Sequence, residues 1–126
     1  MFTIDSYIEK TQDKGFGVFA NEYIKKDTII WEFIEGLDIK IHKNFIENLN
    51  ETQRKFIDIY FWKEGDYFYS SCDHSIFQNH SSSPNSIISG SLYMVAARDI
   101  RVGEEVTVNY SEFDDSYSEY AHTLIQ

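Results

Sequence analysis

The sequence predicts a mostly-β domain, and three observations lead to this fold class. Short segments rich in β-branched and aromatic residues recur along the chain, as strands do. Turn signals such as Glu35-Gly36 and Arg101–Glu104 separate these segments at short intervals. Only the stretch from Lys43 to Phe61 carries the apolar spacing of helices. Many short strands with little helix are typical of a mostly-β architecture.

The N-terminal third of the chain is predicted to hold three strands. Residues Phe2–Ile8 alternate between apolar and polar side chains, which is the pattern of a half-buried strand. The turn Lys14–Gly17 leads into a short apolar strand at Val18–Ala20, and Lys25–Asp27 forms the next turn. Thr28–Ile34 is β-branched and aromatic, and it is therefore the third strand.

The hydrophobic period changes in the middle of the chain. Apolar residues between Lys43 and Phe61 fall at spacings that suit one or two short helices. The polar stretch Asn50–Gln53 interrupts this pattern, and Asn50 or Thr52 is expected to cap the second helix.

Strand patterns return in the second half of the chain. They cover Asp66–Ser70, Leu92–Ala97 and Glu105–Val108. The tail, Phe113–Gln126, is acidic and aromatic, and part of it is expected to be helical.

The composition describes one globular domain with an acidic surface. The chain has 126 residues, enough for one hydrophobic core, and no linker or repeat divides it. It carries 11 Lys and Arg residues against 21 Asp and Glu residues, which gives a net charge of −10. This charge disfavours direct binding to nucleic acid and favours a basic protein or peptide partner. The alternative, that the acidity only serves solubility, stays open.

Cys72 is the only cysteine, so neither an intramolecular disulfide nor a thiolate zinc cluster can form. The first residues, MFTIDSYIEK, lack the apolar segment of a signal peptide. No apolar run approaches the roughly 18 residues that span a bilayer. We therefore expect an intracellular, soluble protein that does not enter a membrane.

The segment Asn79–Asn85, NHSSSPN, has three ordinary explanations. Its first three residues match a glycosylation acceptor, which a chain without a secretion signal is not expected to use. The serines and Pro84 are common turn residues. The third explanation is that His80 is a metal ligand. This is not expected, because the four histidines lie far apart with no paired spacing.

Two further segments are ordinary when each is taken alone. Gly15-Phe16-Gly17 permits a sharp turn or the close approach of a ligand, but it lacks the third glycine of a dinucleotide fingerprint. Residues 103–110, GEEVTVNY, indicate a turn and a strand that ends at Tyr110. Taken alone, Tyr110 would be an ordinary tyrosine of the core or of a sheet edge.

The order of the three segments is informative. A Gly-x-Gly turn comes first, N-H-S-x-x-P-N follows, and R-D-I-x-x-G-E-E-V-T-x-N-Y ends about thirty residues after the histidine. In this order the sequence resembles the SET-domain family of protein-lysine methyltransferases, from about Lys14 to Tyr110. The resemblance implies a single SET domain over residues 1–126, with its core at about 14–110. It implies the β-clip fold of small curved sheets with short helices and a C-terminal pseudoknot.

The resemblance also implies a binding site for S-adenosylmethionine. The family's Gly-x-Gly backbone lines the cofactor pocket, which assigns Gly15, Phe16 and Gly17 to it. The family's Asn-His pair contacts the methionine and adenine ends of the cofactor, which adds Asn79 and His80. No metal is implied.

The same resemblance implies a catalytic residue and a lysine channel. The family's tyrosine at the end of the E-E-V-T-x-N-Y strand is catalytic, which assigns this role to Tyr110. Tyr67, Tyr69, Phe113 and Tyr117 are candidates for the walls of the substrate channel. The alternative for the aromatic residues of the tail is that they only close the core.

Methyl transfer to lysine accounts for these residue types. The attacking amine must be neutral, whereas a free lysine has a pKa of about 10.4. A narrow aromatic channel disfavours the ammonium form by desolvation. A tyrosine hydroxyl and backbone carbonyls can then hold the methyl group and the amine in line. This chemistry requires neither a metal nor a covalent nucleophile.

The chain departs from the family at two places. Ser82 stands where the family often has cysteine, and no cysteine-rich zinc segment follows Tyr110. The tail, residues 111–126, is expected to replace that segment, as in small stand-alone SET proteins of viruses and bacteria. Some of those proteins are dimeric, so a homodimer is one expected assembly.

The sequence therefore predicts an S-adenosylmethionine-dependent protein-lysine N-methyltransferase. The acidic surface suits a lysine-containing basic substrate, such as a histone tail or a ribosomal protein. A histone substrate implies a nuclear or host-nuclear location, and another substrate implies the cytoplasm. The alternative function is a catalytically inactive SET-like module that binds a peptide without turnover. A structural protein with the same core and no cofactor ranks last.

Overall fold

The fold is built mainly from short β-strands. The structure, a computed structural model, describes residues 1–89 and 92–115. Within these residues, ten strands form four small sheets, which confirms the predicted fold class. The strands are β1 (Ser6–Lys10), β2 (Phe16–Ala20), β3 (Ile29–Glu32), β4 (Ile39–His42), β5 (Trp62–Glu64), β6 (Tyr67–Ser70), β7 (Asn79–His80), β8 (Ser86–Ile88), β9 (Tyr93–Ala96) and β10 (Thr107–Val108).

Antiparallel pairing forms three of these sheets and parallel pairing forms one. β1 and β2 make a hairpin, and the two three-stranded sheets have the orders β3-β9-β8 and β4-β6-β5. β7 and β10 run parallel, with Thr107 opposite Asn79 and Val108 opposite His80. The parallel pair brings the middle sequence motif next to the C-terminal motif.

The sequence predicted one or two short helices between Lys43 and Phe61, and the structure has two, α1 (Lys43–Ile46) and α2 (Glu51–Tyr60). Asn50 Oδ1 accepts a hydrogen bond from the Gln53 backbone N–H at 2.9 Å. Gln53 Oε1 accepts in return from the Asn50 N–H at 3.0 Å. This reciprocal capping box is the reason that α2 begins where the polar stretch predicts.

The first strand begins later than predicted. β1 starts at Ser6, because Phe2 leaves the hairpin and pairs with Trp31 of β3 instead. Phe2 belongs to the buried core, so its apolar character reflects packing rather than membership of β1.

Four strands were not anticipated by the sequence analysis: β4, β5, β7 and β8. Each has two to four residues, which is too short to establish an alternating pattern. A short 3₁₀ helix at Tyr110–Glu112 precedes the stretch that was predicted to be partly helical, Phe113–Gln126. Residues 113–115 of that stretch are not helical, and residues 116–126 lie outside the described residues.

The hydrophobic core fixes the elements that carry the motifs. Val18 of β2, Ile30 of β3, Ala96 of β9 and Val106 are each 0% exposed. Full burial of an aliphatic side chain contributes about 1.5–3 kcal/mol. Val18 follows the Gly-x-Gly turn directly, and Val106 lies within the C-terminal motif. Core packing therefore anchors two of the three motifs.

The C-terminal segment lies between β2 and β7. The Val106 N–H donates to the Val18 carbonyl oxygen at 2.8 Å, on the side of β2. On the other side, the Ser81 N–H donates to the Val108 carbonyl oxygen at 2.9 Å. This packing of residues 103–108 against the middle motif is the contact that the expected pseudoknot requires.

Asn85 ties the end of the middle motif to the C-terminal segment. It is 1% exposed, and its Nδ2 donates to the Glu105 carbonyl oxygen at 2.7 Å. Its Oδ1 accepts from the Thr107 backbone N–H at 2.8 Å. The Asn85 carbonyl oxygen accepts from the Ala97 N–H at 2.8 Å. One buried side chain thus bonds to the backbone directly before β10.

The N-terminal ammonium forms an ion pair with the Asp38 carboxylate. The Met1 nitrogen lies 2.7 Å from Asp38 Oδ2, and the Asp38 side chain is 0% exposed. The backbone N–H groups of Ile34 and Cys72 also donate to this carboxylate. Burial alone would raise the pKa of Asp38, but the ammonium and the two N–H groups lower it overall.

We expect the stability contributed by Asp38 to disappear at acid pH. Because the pKa is lower in the folded chain, this contribution is present above the unfolded pKa of about 3.9 and is lost as the pH falls through the folded pKa. Asp38→Asn should lower the free energy of unfolding at neutral pH and make its decline in acid shallower. Urea unfolding of both untagged proteins across this range is the measurement, and equal slopes would contradict the expectation.

Candidate functional site

The three sequence motifs meet at one side chain, Asn79 of β7. Its Nδ2 group donates to the Phe16 carbonyl oxygen at 3.1 Å and to Glu105 Oε2 at 2.8 Å. Asn79 itself is 5% exposed. A single buried amide therefore connects the Gly-x-Gly turn to the Glu-Glu segment that precedes β10, and we call this contact the Asn79 junction.

Local hydrogen bonds hold the turn before β2. Thr11 donates to the Gly15 carbonyl oxygen from its backbone nitrogen at 2.7 Å and from Oγ1 at 2.8 Å. Gly15 has a φ of +66°, a left-handed conformation that favours glycine. Lys14 Nζ donates to the His80 carbonyl oxygen at 2.9 Å, so the turn also contacts β7 directly.

Gly17 faces the Asn79 junction and has no room for a side chain. A Cβ atom there would lie 2.6 Å from Glu105 Oε2, 3.0 Å from Thr11 Cγ2 and 3.1 Å from Asn79 Nδ2. Two of these atoms form the hydrogen bond that joins the motifs. A side chain at this position therefore requires the Glu105 carboxylate to shift.

We expect Gly17→Ala to disrupt the Asn79 junction. The added methyl group must displace the Glu105 carboxylate, which breaks its hydrogen bond to Asn79. The free energy of unfolding should fall by about 1–3 kcal/mol. Adding Glu105→Asp shortens the acid and should restore part of this loss. Chemical denaturation of the single and double variants is the measurement.

Gly65→Ala is the matched control for this substitution. Gly65 has a φ of +62°, and no atom lies within 4 Å of a Cβ built there. Alanine at this position costs about 1–2 kcal/mol of backbone strain without touching the Asn79 junction. Adding Glu105→Asp to this control should not restore any of its free energy of unfolding. A Gly17→Ala protein as stable as the wild type would refute the close-approach argument.

Phe16 presents an aromatic ring at the surface beside the junction. Its residue is 54% exposed, and its ring packs edge-on against Phe77 at a centroid distance of 6.2 Å. An exposed aromatic face supported from one side can receive a planar ligand.

Tyr110 follows β10 and is held at both ends, by His80 of the middle motif and by Gln78, the residue directly before that motif. Its backbone N–H donates to His80 Nδ1 at 3.1 Å, and its hydroxyl donates to the Gln78 carbonyl oxygen. The His80 and Tyr110 ring centroids lie 5.4 Å apart. Because Nδ1 accepts this bond, we assign the proton of the neutral His80 ring to Nε2. The predicted catalytic tyrosine is thus fixed in position.

An aromatic cleft opens beside Tyr110. Phe113 packs edge-on against Trp62 at 5.7 Å and against Tyr110 at 6.0 Å. No lysine or arginine of the described residues lines this cleft. Four acidic residues do line it, namely Asp58, Glu64, Glu112 and Asp114. The cleft therefore combines aromatic walls with an excess of negative charge.

The segment after Tyr110 is fixed onto β5. The Lys63 N–H donates to Asp114 Oδ1 at 3.0 Å, and the Asp115 N–H donates to the Lys63 carbonyl oxygen at 2.7 Å. Gly65 adds a bond from its N–H to Asp115 Oδ2 at 2.9 Å. These contacts hold Phe113 against the strand that carries Trp62.

Of the four predicted channel residues, the structure brings Phe113 to the cleft. Tyr69 is 8% exposed and stacks on Trp62 at 5.7 Å, and Tyr67 adjoins Tyr69 at 6.5 Å. Neither tyrosine lines this cleft. Tyr117 lies outside the described residues. The assignment of these three tyrosines to the channel stays a prediction.

Sequence analysis missed Trp62, Gln78 and Glu105. Trp62 lies in a three-residue strand that is too short to give a pattern. Gln78 comes directly before the Asn-His pair, and that position was its only signal. Glu105 belongs to the recognised Glu-Glu segment, but the sequence does not show which acid contacts Asn79.

Within residues 1–89 and 92–115, no group of three or more His, Cys, Asp or Glu side chains is placed to hold a metal ion. No helix in the same residues is long and apolar enough to cross a bilayer.

Comparison with known families identifies the mostly-β fold. Residues 15–111 match the sequence model of the family described as SET domain. The chain belongs to the SET-domain family.

Two relatives and one solved structure illustrate the likeness. The variant-silencing SET domain-containing protein of Plasmodium falciparum is 37% identical in an alignment of length 125 that covers 87% of this chain. The histone-lysine N-methyltransferase, H3 lysine-36 specific, of Kluyveromyces lactis is 32% identical in an alignment of length 117 that covers 85% of this chain. The chain spans only 5% and 17% of the length of these relatives.

The solved structure is the Neurospora SET domain protein DIM-5, a histone lysine methyltransferase. It superposes with a TM-score of 0.62 and 19% identity, over 86% of this chain and 53% of that one. This likeness shows the fold.

Proposed function

We propose that the chain is an S-adenosylmethionine-dependent protein-lysine N-methyltransferase. The observation that carries this proposal is the adjacency of the Asn79 junction and the aromatic cleft. His80 links the two, since it follows Asn79 in β7 and its Nδ1 accepts the Tyr110 N–H at 3.1 Å. The junction holds the cofactor, and the cleft holds the target lysine.

The residues at the junction fit S-adenosylmethionine. Gly15 carries no side chain that could cover the turn, and the half-exposed Phe16 ring offers a face for the adenine. Gly17 faces Glu105 and Asn79 and lets the turn approach the junction closely. Asn79 uses its Nδ2 group within the protein, while among the described residues its Oδ1 accepts no hydrogen bond. That oxygen is a suitable acceptor for the α-ammonium group of the cofactor.

The chain's own residues prepare the amine and position it. When bound, S-adenosylmethionine supplies a methyl carbon that an amine lone pair can attack as the carbon–sulfur bond breaks. Trp62 and Phe113 limit water in the cleft, and desolvation lowers the pKa of a lysine amine so that its proton is released to solvent. The Tyr110 hydroxyl, held at the Gln78 carbonyl oxygen, fixes the geometry of attack.

The proposed substrate is a lysine-containing basic protein. The net charge of −10 and the acidic residues of the cleft attract a basic chain and disfavour a nucleic-acid backbone. A histone tail is the first candidate, because the Kluyveromyces lactis relative is described as a histone-lysine N-methyltransferase. We propose an intracellular location, which is nuclear if a histone is the substrate.

Two measurements test the proposed function. Calorimetry should detect S-adenosylmethionine binding, and mass spectrometry should detect methyl groups on lysines of a mixture of core histones and ribosomal proteins. Cofactor binding without any transfer, together with peptide binding, would favour the inactive binding module. Absence of cofactor binding would refute the proposal.

A further inference from the structure

Gln78 is a buried polar residue next to the proposed catalytic tyrosine. It is 6% exposed and lines the aromatic cleft. Its backbone carbonyl oxygen accepts the Tyr110 hydroxyl. Its Nε2 group lies 3.1 Å from Ser86 Oγ and 3.4 Å from Met94 Sδ. The side chain is therefore anchored through its nitrogen.

The chemistry of the two partners fixes the orientation of this amide. Ser86 Oγ donates its proton to the Thr107 carbonyl oxygen at 2.5 Å, so it must accept from Gln78. The Met94 thioether can only accept. Both neighbours thus require the N–H side of the amide, and Oε1 points away from them.

The Oε1 atom of Gln78 has no hydrogen-bond partner among the described residues. Within the same residues, no fully buried side-chain nitrogen or oxygen lacks a partner. An unbonded Oε1 must therefore reach open space. The cleft is open space that Gln78 lines, beside Tyr110.

We propose that Gln78 Oε1 accepts a hydrogen bond from the amine of the target lysine. This inference rests on the proposed function and deepens it. Aromatic walls suit the aliphatic stem of a lysine, and an acceptor beside Tyr110 suits its N–H group. An occupant without a donor would cover this acceptor and leave it unpaired, which is costly, so the site discriminates against such an occupant.

The number of methyl groups on the amine decides whether this bond can form. A neutral unmodified amine has two N–H groups, a monomethylated amine has one, and a neutral dimethylated amine has none. Gln78 therefore favours the first two methyl additions over the third. It acts as a specificity-determining residue that contacts the substrate.

Gln78→Met tests this role, because methionine has a similar shape and lacks the amide oxygen. We expect kcat/KM for a short basic peptide with one unmodified lysine to fall by about ten-fold, the size of one hydrogen bond. The value for the matching dimethyl-lysine peptide should stay within about two-fold, since no bond is lost there. Comparing two peptides on one protein separates this effect from a loss of stability.

Ser86→Ala is the matched control. It removes the anchor of Nε2 but keeps the Oε1 acceptor. The quantity to compare is the ratio of kcat/KM for the unmodified peptide to kcat/KM for the dimethyl-lysine peptide. In Ser86→Ala this ratio should stay closer to the wild-type ratio than it does in Gln78→Met. A preference that is unchanged in Gln78→Met would overturn the acceptor role while the proposed function stands.

A binding measurement keeps the test independent of turnover. The wild type should bind the lysine peptide at least about ten-fold more tightly than a peptide with norleucine in its place, and Gln78→Met should reduce this preference by about ten-fold. If the preference is found without methyl transfer by the wild type, the proposed function fails and the acceptor role stands. Equal affinity of the wild type for both peptides, or binding of neither, refutes the acceptor role.

Discussion

Tyr110→Phe is expected to reduce methyl transfer by about 100-fold or more. The substitution removes only the hydroxyl that donates to the Gln78 carbonyl oxygen at the cleft. The ring contacts with His80 and Phe113 remain available to phenylalanine. Cofactor affinity should change little, because the Asn79 junction does not include this hydroxyl. The measurements are kcat for a histone mixture and calorimetry with S-adenosylmethionine.

Tyr93→Phe is the matched control for the loss of a cleft hydroxyl. Tyr93 also lines the cleft, but it is 45% exposed and lies on β9, away from the Asn79 junction. Its substitution should lower kcat by less than about five-fold. An exposed hydroxyl forms its hydrogen bonds with water, so its removal changes little in the protein. Equal losses in the two variants would show that Tyr110 has no special role.

The order of the three motifs predicted how they come together, and this part of the fold could be foreseen. The glycines were assigned to the lining of a cofactor pocket, which stays a prediction, while the atoms beside Gly17 in the structure belong to Glu105, Thr11 and Asn79. The Asn-His pair and Tyr110 were expected to share a site, and His80 Nδ1 accepts the Tyr110 N–H. These residues lie in or beside paired strands, and the strand pairing fixes the distances between them in the fold.

Apart from Phe113, the walls of the cleft could not be foreseen, because side-chain stacking decides them. Trp62 and Tyr69 are paired across β5 and β6, and both rings project to the same side of that sheet. The tail places Phe113 against Trp62, so Tyr69 lies behind Trp62 and outside the cleft. Neither the register of β5 nor the path of the tail has a local sequence signal.

Asn85→Ala is expected to be among the most destabilising single substitutions in the described chain. The side chain is 1% exposed, and its loss leaves the Glu105 carbonyl and the Thr107 N–H without these partners. Two buried backbone groups without partners cost about 1–3 kcal/mol each. We therefore expect the free energy of unfolding to fall by about 3 kcal/mol or more, measured by urea denaturation.

The same substitution should also damage the site, because Asn85 holds the backbone on both sides of Val106. The parallel pairing of β10 with β7 positions Tyr110, and that pairing begins at Thr107, which Asn85 contacts. Asn21→Ala is the control: Asn21 is exposed and makes one side-chain bond, to Asp5, so its loss should cost less than about 0.5 kcal/mol. If Asn85→Ala were no worse than this control, the tie between the middle motif and the C-terminal segment would not be what holds Tyr110. Asn85, the last residue of the turn-like sequence NHSSSPN, would then serve only to form that turn.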